Sequence, residues 1–225
     1  MRTSFNLTKA SLLIATLAAG LSVHIASQAQ ATLDSGTLII NGQISASTCL
    51  LDMGDAGSTG GSSKTLNLGT YTTAVAGAAT ATGGTFGTAQ SAVFSVKSAS
   101  GDGTACTLGG SGKWDIGINI PSTEVTTAGG STLLLSGGTA SNIAQNVGVL
   151  IKTSTGPAVT AGATNVNLSA GSPTYGVLLS SSSASAPNLA NTDKIALTAQ
   201  FARTNASAPT AGAFSATIPL NVWYK

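Results

Sequence analysis

The side chains able to carry chemistry are few and scattered. Charged residues make up 7% of the 225 positions, histidine occurs once, as His24, and cysteine twice, as Cys49 and Cys106. Two cysteines without a C-x-x-C spacing, and with one remote histidine, cannot complete a tetrahedral zinc site, so no metal is expected. Gly110-Ser111-Gly112-Lys113 has the ending of a phosphate-binding loop, but Thr107 stands where the first glycine belongs and Trp114 where a hydroxyl residue should follow. That segment reads as a turn entering a strand. No serine lies three residues before a lysine, which removes the Ser-x-x-Lys nucleophile. Asp52 with Asp55, and Asp115 with Glu124, are the conceivable acid pairs or calcium ligands, and all four read as solvated carboxylates on loops and strand faces. Asn167-Leu168-Ser169 and Asn205-Ala206-Ser207 match the glycosylation tripeptide, a pattern too short to carry a function alone. The expectation is a protein with no catalytic residues and no cofactor.

The N-terminus explains part of this scarcity. Arg2 and Lys9 flank a short polar start, Ala10 to Leu21 is apolar, and Ala29-Gln30-Ala31 supplies small residues at cleavage spacing, so residues 1–31 read as a secretory signal peptide. Cleavage after Ala29 competes with cleavage after Ala31. The apolar run falls short of the roughly 20 residues that span a bilayer, so no membrane insertion is expected after cleavage. Removal of the segment takes His24, Arg2 and Lys9 with it and leaves basic and acidic side chains balanced. A chain without net charge has no electrostatic footprint for nucleic acid or anionic lipid. Export also sets the redox state, because a lone cysteine pair passing through an oxidising compartment normally forms a disulfide. A Cys49–Cys106 bridge would close a loop of roughly 57 residues and contribute about 4 kcal/mol in the loop-closure picture.

Elements that could hold a fold together are strands. Phe214, Ala216, Ile218, Leu220, Val222 and Tyr224 share one parity against Ser215, Thr217, Asn221 and Lys225, and Ile195, Leu197, Ala199 and Phe201 repeat the pattern. Shorter candidates are Leu66 to Tyr71, Ala92 to Lys97, Trp114 to Ile120, Thr132 to Leu135, Val147 to Lys152 and Val166 to Leu168. Asp55 to Lys64 and Ala74 to Gln90, rich in Gly, Ser, Thr and Ala, read as long exposed loops. No segment after residue 31 shows a helical period. Many short strands separated by turn residues indicate a single antiparallel β-sandwich. Its first strand is unusual: Leu38, Ile40 and Ile44 share a parity with Gly36 and Gly42 close to the expected free terminus. Such a strand is either an ordinary first strand or one that adds to a sheet edge elsewhere.

Three blocks carry a family resemblance. Gly36-Thr37-Leu38 through Gly42 to Cys49, then Asn146-Val147-Gly148-Val149-Leu150-Ile151 followed by Thr155-Gly156, and last Gly212 at the fourteenth position from the C-terminus with Tyr224 penultimate, occur in this order. Together they resemble the major structural subunits, or pilins, of chaperone-usher fimbriae of the type 1 pilin-like group, over nearly the whole chain from about Leu33 to Lys225. The segment between the cysteines is longer than that pattern, and Pro219 interrupts the terminal strand with a residue that lacks an N–H.

The resemblance implies an all-β fold, an incomplete immunoglobulin-like antiparallel β-sandwich completed by a donor strand from a neighbouring subunit. Residues 32–43 would be the donor-strand extension and residues 44–225 the pilin domain. Leu38 and Ile40 would fill the neighbour's groove, Gly36 would sit where only a small residue fits, and Leu33 would reach the distal end. Gly212, Phe214, Ile218, Leu220, Val222 and Tyr224 would form the strand recognised by a periplasmic chaperone. The implied partners are other copies of the chain, sibling fimbrial subunits, the chaperone and an outer-membrane usher. The implied location is a fimbria at the cell surface, reached through the periplasm. A minor adaptor subunit, or a monomeric secreted sandwich that binds carbohydrate, is the alternative.

Overall fold

Period-2 alternation of apolar side chains dictates the architecture. The computed structural model describes residues 36–43, 49–53, 63–98, 112–137, 142–169, 174, 176–180 and 186–224. In chain order these residues form β1 (Gly36–Gln43), β2 (Cys49–Asp52), β3 (Ser63–Gly69), helix α1 (Thr73–Ala78), β4 (Thr85–Ser98), β5 (Trp114–Ile118), a 3-10 turn (Ser122–Glu124), β6 (Val125–Ala128), β7 (Ser131–Leu134), β8 (Val147–Gly156), β9 (Thr164–Asn165), β10 (Val177–Leu178), β11 (Lys194–Arg203) and β12 (Phe214–Tyr224). Residues 1–31 and Thr32–Lys225 separate into two units, and the first lies outside the described residues.

Two sheets result. The first has the order β10-β5-β12-β1-β3; the second runs β2-β4-β11-β8-β7-β6, with β9 paired to β8. Leu38, Ile40, Leu66, Leu68, Ile116, Ile218 and Leu220 of the first sheet meet Phe94, Val96, Val149, Ile151, Ile195, Leu197 and Phe201 of the second in one core. This is the expected all-β sandwich. Along β12 the alternation is complete from Phe214 to Leu220: buried even-numbered residues against exposed Ser215, Thr217 and Pro219. β11 differs because it is central, and Ile195 to Ala199 are buried on both faces.

The structure corrects two local expectations. Ala74 to Gln90 is not one exposed loop: it holds α1, whose N-terminus is capped by the Thr72 hydroxyl accepting from Val75 N at 3.3 Å, and the first part of β4. Small Ala, Gly and Thr residues give both elements little polar contrast, and the larger apolar residues there are Val75, which is exposed, and Phe86. Val166 to Leu168 is not a strand; the ladder is the preceding Thr164–Asn165, and Val166 and Leu168 are buried beyond it. Of the expected loop Asp55 to Lys64, residues 55–62 lie outside the described residues, and Lys64 belongs to β3.

Candidate functional site

The N-terminal strand occupies a slot between two strands distant in sequence. β1 runs antiparallel to β3, with Leu38 opposite Leu66 and Ile40 opposite Lys64. On its other side it runs parallel to β12, with Gly36 opposite Phe214, Leu38 opposite Ala216 and Ile40 opposite Ile218. This is the only parallel ladder among the described strands. Leu38 and Ile40 point inward and are 0% exposed. Each such side chain contributes roughly 1.5–3 kcal/mol by burial, so an empty slot would expose a furrow along the core.

Gly36 sits against an aromatic wall. A Cβ built on it would lie 2.1 Å from Phe201 Cζ. Phe201 has little freedom to withdraw, being stacked on Phe86 with ring centroids 5.5 Å apart and met edge-on by Phe214 at 5.5 Å and Tyr71 at 6.1 Å. Tyr71 is itself fixed, its hydroxyl oxygen accepting from Thr88 N at 2.6 Å. The end of the slot therefore has no space for a Cβ unless strand or ring shifts. Sequence reasoning placed a small residue at Gly36 but missed the wall, whose rings come from β4, β11, β12 and the residues after β3.

The C-terminal residues line the opposite side of β1. Phe214, Ala216, Ile218, Leu220 and Val222 are buried in the core. Gly212 has a φ of 155°, and a Cβ there would meet Ala144 N at 2.4 Å. The close approach lets Ala213 N donate to Asn142 O at 2.8 Å and Ala144 N donate to Ala213 O at 3.0 Å. Tyr224 is half-buried; its hydroxyl has no hydrogen-bond partner among the described residues, and burial pushes its pKa up to about 12.

Pro219 is accommodated by strand alternation. Ser215 N donates to Ser136 Oγ at 3.2 Å and Ser215 O accepts from Gly137 N at 3.0 Å, so Ser215 turns its backbone groups away from β1. Four residues on, Pro219 turns the same way, and its missing N–H leaves the ladder to β1 intact. Pairing to β5 begins one residue later, at Leu220 opposite Ile118.

Other singled-out residues separate. Cys49 is buried at 2% exposure, and no free thiol occurs among the described residues. Cys106, Leu33 and Asp55 lie outside the described residues, as do Thr107, Gly110 and Ser111. Asp52 departs from the expected solvated carboxylate: it is buried at 8% exposure and pairs with Lys97 at 2.5 Å. Asp115 overturns the expectation of a solvated carboxylate: it is 0% exposed and accepts hydrogen bonds from Ile116 N and from Ser180. No group of three or more His, Cys, Asp or Glu able to hold a metal, and no helix long and apolar enough to cross a membrane, occurs among the described residues. Comparison with protein-family models and with curated proteins returns no match.

Proposed function

We propose that this chain is a structural subunit of a chaperone-usher fimbria, exported, bridged by Cys49 and Cys106, and polymerised by exchange of its N-terminal strand. The observation that carries the reading is β1 itself. A strand from the N-terminal end lies between β12 and β3 and fills the core with Leu38 and Ile40. A slot of this kind accepts any extended segment with the same inward residues, whether from the same chain, a chaperone or the next subunit, because main-chain ladders supply the affinity and alternate side chains the specificity. Donor and acceptor surfaces differ, so exchange between copies gives an open filament rather than a closed ring. In this reading the chaperone lends a strand until the usher delivers the next subunit, and a sibling or minor adaptor subunit would use the same slot.

One observation favours a second reading. β1 already completes its own sheet, as it would in a monomeric secreted sandwich that never exchanges it. The two readings separate on replacement of the strand. The chain lacking residues 32–41 should bind a synthetic peptide of residues 32–43 and regain a cooperative unfolding transition, whereas a peptide with Leu38 and Ile40 replaced by Ser should not. Failure of the unaltered peptide to bind would favour the monomeric reading.

A further inference from the structure

On the far side of the first sheet a carboxylate is buried where a strand's outer face should be wet. Trp114, Ile116 and Ile118 of β5 belong to the core, so Asp115 and Gly117 face outward. Asp115 is nevertheless 0% exposed. The residues after β10 tie down beside it. Val177 and Leu178 pair with Ile118 and Gly117, Leu179 N donates to Ile116 O at 2.9 Å, and Ser180 then closes on the carboxylate. Ser180 N donates to Asp115 Oδ1 at 3.2 Å, the Ser180 hydroxyl donates to Oδ2, and Ile116 N donates to Oδ1 at 2.8 Å.

We propose that Asp115 and Ser180 form a latch fastening residues 176–180 to the edge of the first sheet, and that ionisation of the carboxylate loosens it. Among the described residues no cation forms an ion pair with the Asp115 carboxylate, whose partners are Ile116 and Ser180. Gly176 to Ser180 carry no titratable group. From β12, Asp115 is opposite Trp223, and the neighbouring Tyr224 phenol stays neutral because burial pushes it up to about 12. From the segment that bridges to Trp114, the Asp193 carboxylate is engaged by Ala190 N at 2.8 Å. Lys113 precedes β5 but is not among the hydrogen-bond or ion-pair partners of Asp115. Hydrogen bonds from neutral donors therefore oppose desolvation alone, and desolvation wins, raising the Asp115 pKa from 3.8 to about 6.

The sign follows from linkage. A carboxyl that binds its proton more tightly when closed favours closure in acid, with the full advantage below about pH 4, and loses it as pH rises to about 6. Opening of the latch should increase about 30-fold between pH 4 and pH 6 and level off above about pH 7. The device is independent of strand exchange, since it lies across β12 from the slot.

Hydrogen exchange of the Leu179 and Ser180 amides in the whole protein, from pH 4 to 8 and corrected for intrinsic rates, tests this. The opening constant is expected to rise about fivefold per pH unit between pH 4 and pH 6 and to flatten above about pH 7, while β11 amides do not follow. Asp115→Asn should remain closed and flat throughout, its amide donating to Ser180 Oγ. A flat wild-type profile, an unchanged slope in the Asn variant, or a parallel response in β11 would overturn the latch. Should Asp115→Asn fail to fold, Ser180→Ala serves: losing the hydroxyl donor must move the carboxyl titration, read by carbon NMR, above the wild-type midpoint. An unmoved midpoint would refute the role of Ser180.

Discussion

Replacing Gly36 by alanine adds one methyl group at the tightest point of the slot. Its Cβ would stand 2.1 Å from Phe201 Cζ, whereas carbon atoms rest at about 3.5–4.0 Å, so strand or ring must give by about 1.5 Å. The ring cannot retreat freely from Phe86, Phe214 and Tyr71. Overpacking of this kind costs about 1–3 kcal/mol. The backbone itself is not the obstacle, since Gly36 is not among the positive-φ glycines. Urea unfolding of the monomer should show a lower midpoint with an unchanged m-value. Phe201→Leu removes the ring carbon that the methyl would strike, so the double variant should lose less than the two single losses added, by about 1 kcal/mol or more. An alanine variant within about 0.5 kcal/mol of wild type, or strictly additive losses, would refute the steric wall.

Three further outcomes are expected. Leu38→Ala should cost about 2–5 kcal/mol in the same unfolding assay, since the side chain is fully buried between Leu66 and Ala216. Stability should fall by about 2 kcal/mol between pH 4 and pH 6, because the folded-state pKa of Asp115 is raised to about 6; Asp115→Asn should remove that contribution from denaturant midpoints taken across the range. Pro219→Ala should leave exchange of the β1 amides unchanged, because the backbone of that residue turns away from β1.

The sequence made the long strands legible where large apolar residues alternate with polar ones. β12 spans the full alternating run from Phe214 to Tyr224, and β11 includes Ile195 to Phe201. The beginning of β4 was hidden because Ala, Gly and Thr give the same signal in a strand as in a loop. The direction of β1 was not legible at all: the inward set Gly36, Leu38 and Ile40 satisfies a parallel and an antiparallel neighbour equally. Asp115 was misread for a related reason. Its parity marks it correctly as outward-facing, but the residue that covers it, Ser180, stands 65 positions away and has an unremarkable serine-rich context. Residues that meet only through tertiary folding, such as Gly36 and Phe201, leave no local trace.

The most direct test of strand exchange is gel mobility without boiling. The intact chain, co-expressed with a cognate chaperone and usher, should run as a ladder of multimers that collapses on heating, while the chain lacking residues 32–41 should remain a chaperone-bound monomer. A chaperone-independent monomer from the intact chain, with no ladder, would contradict the account and leave β1 as a permanent strand of its own sandwich.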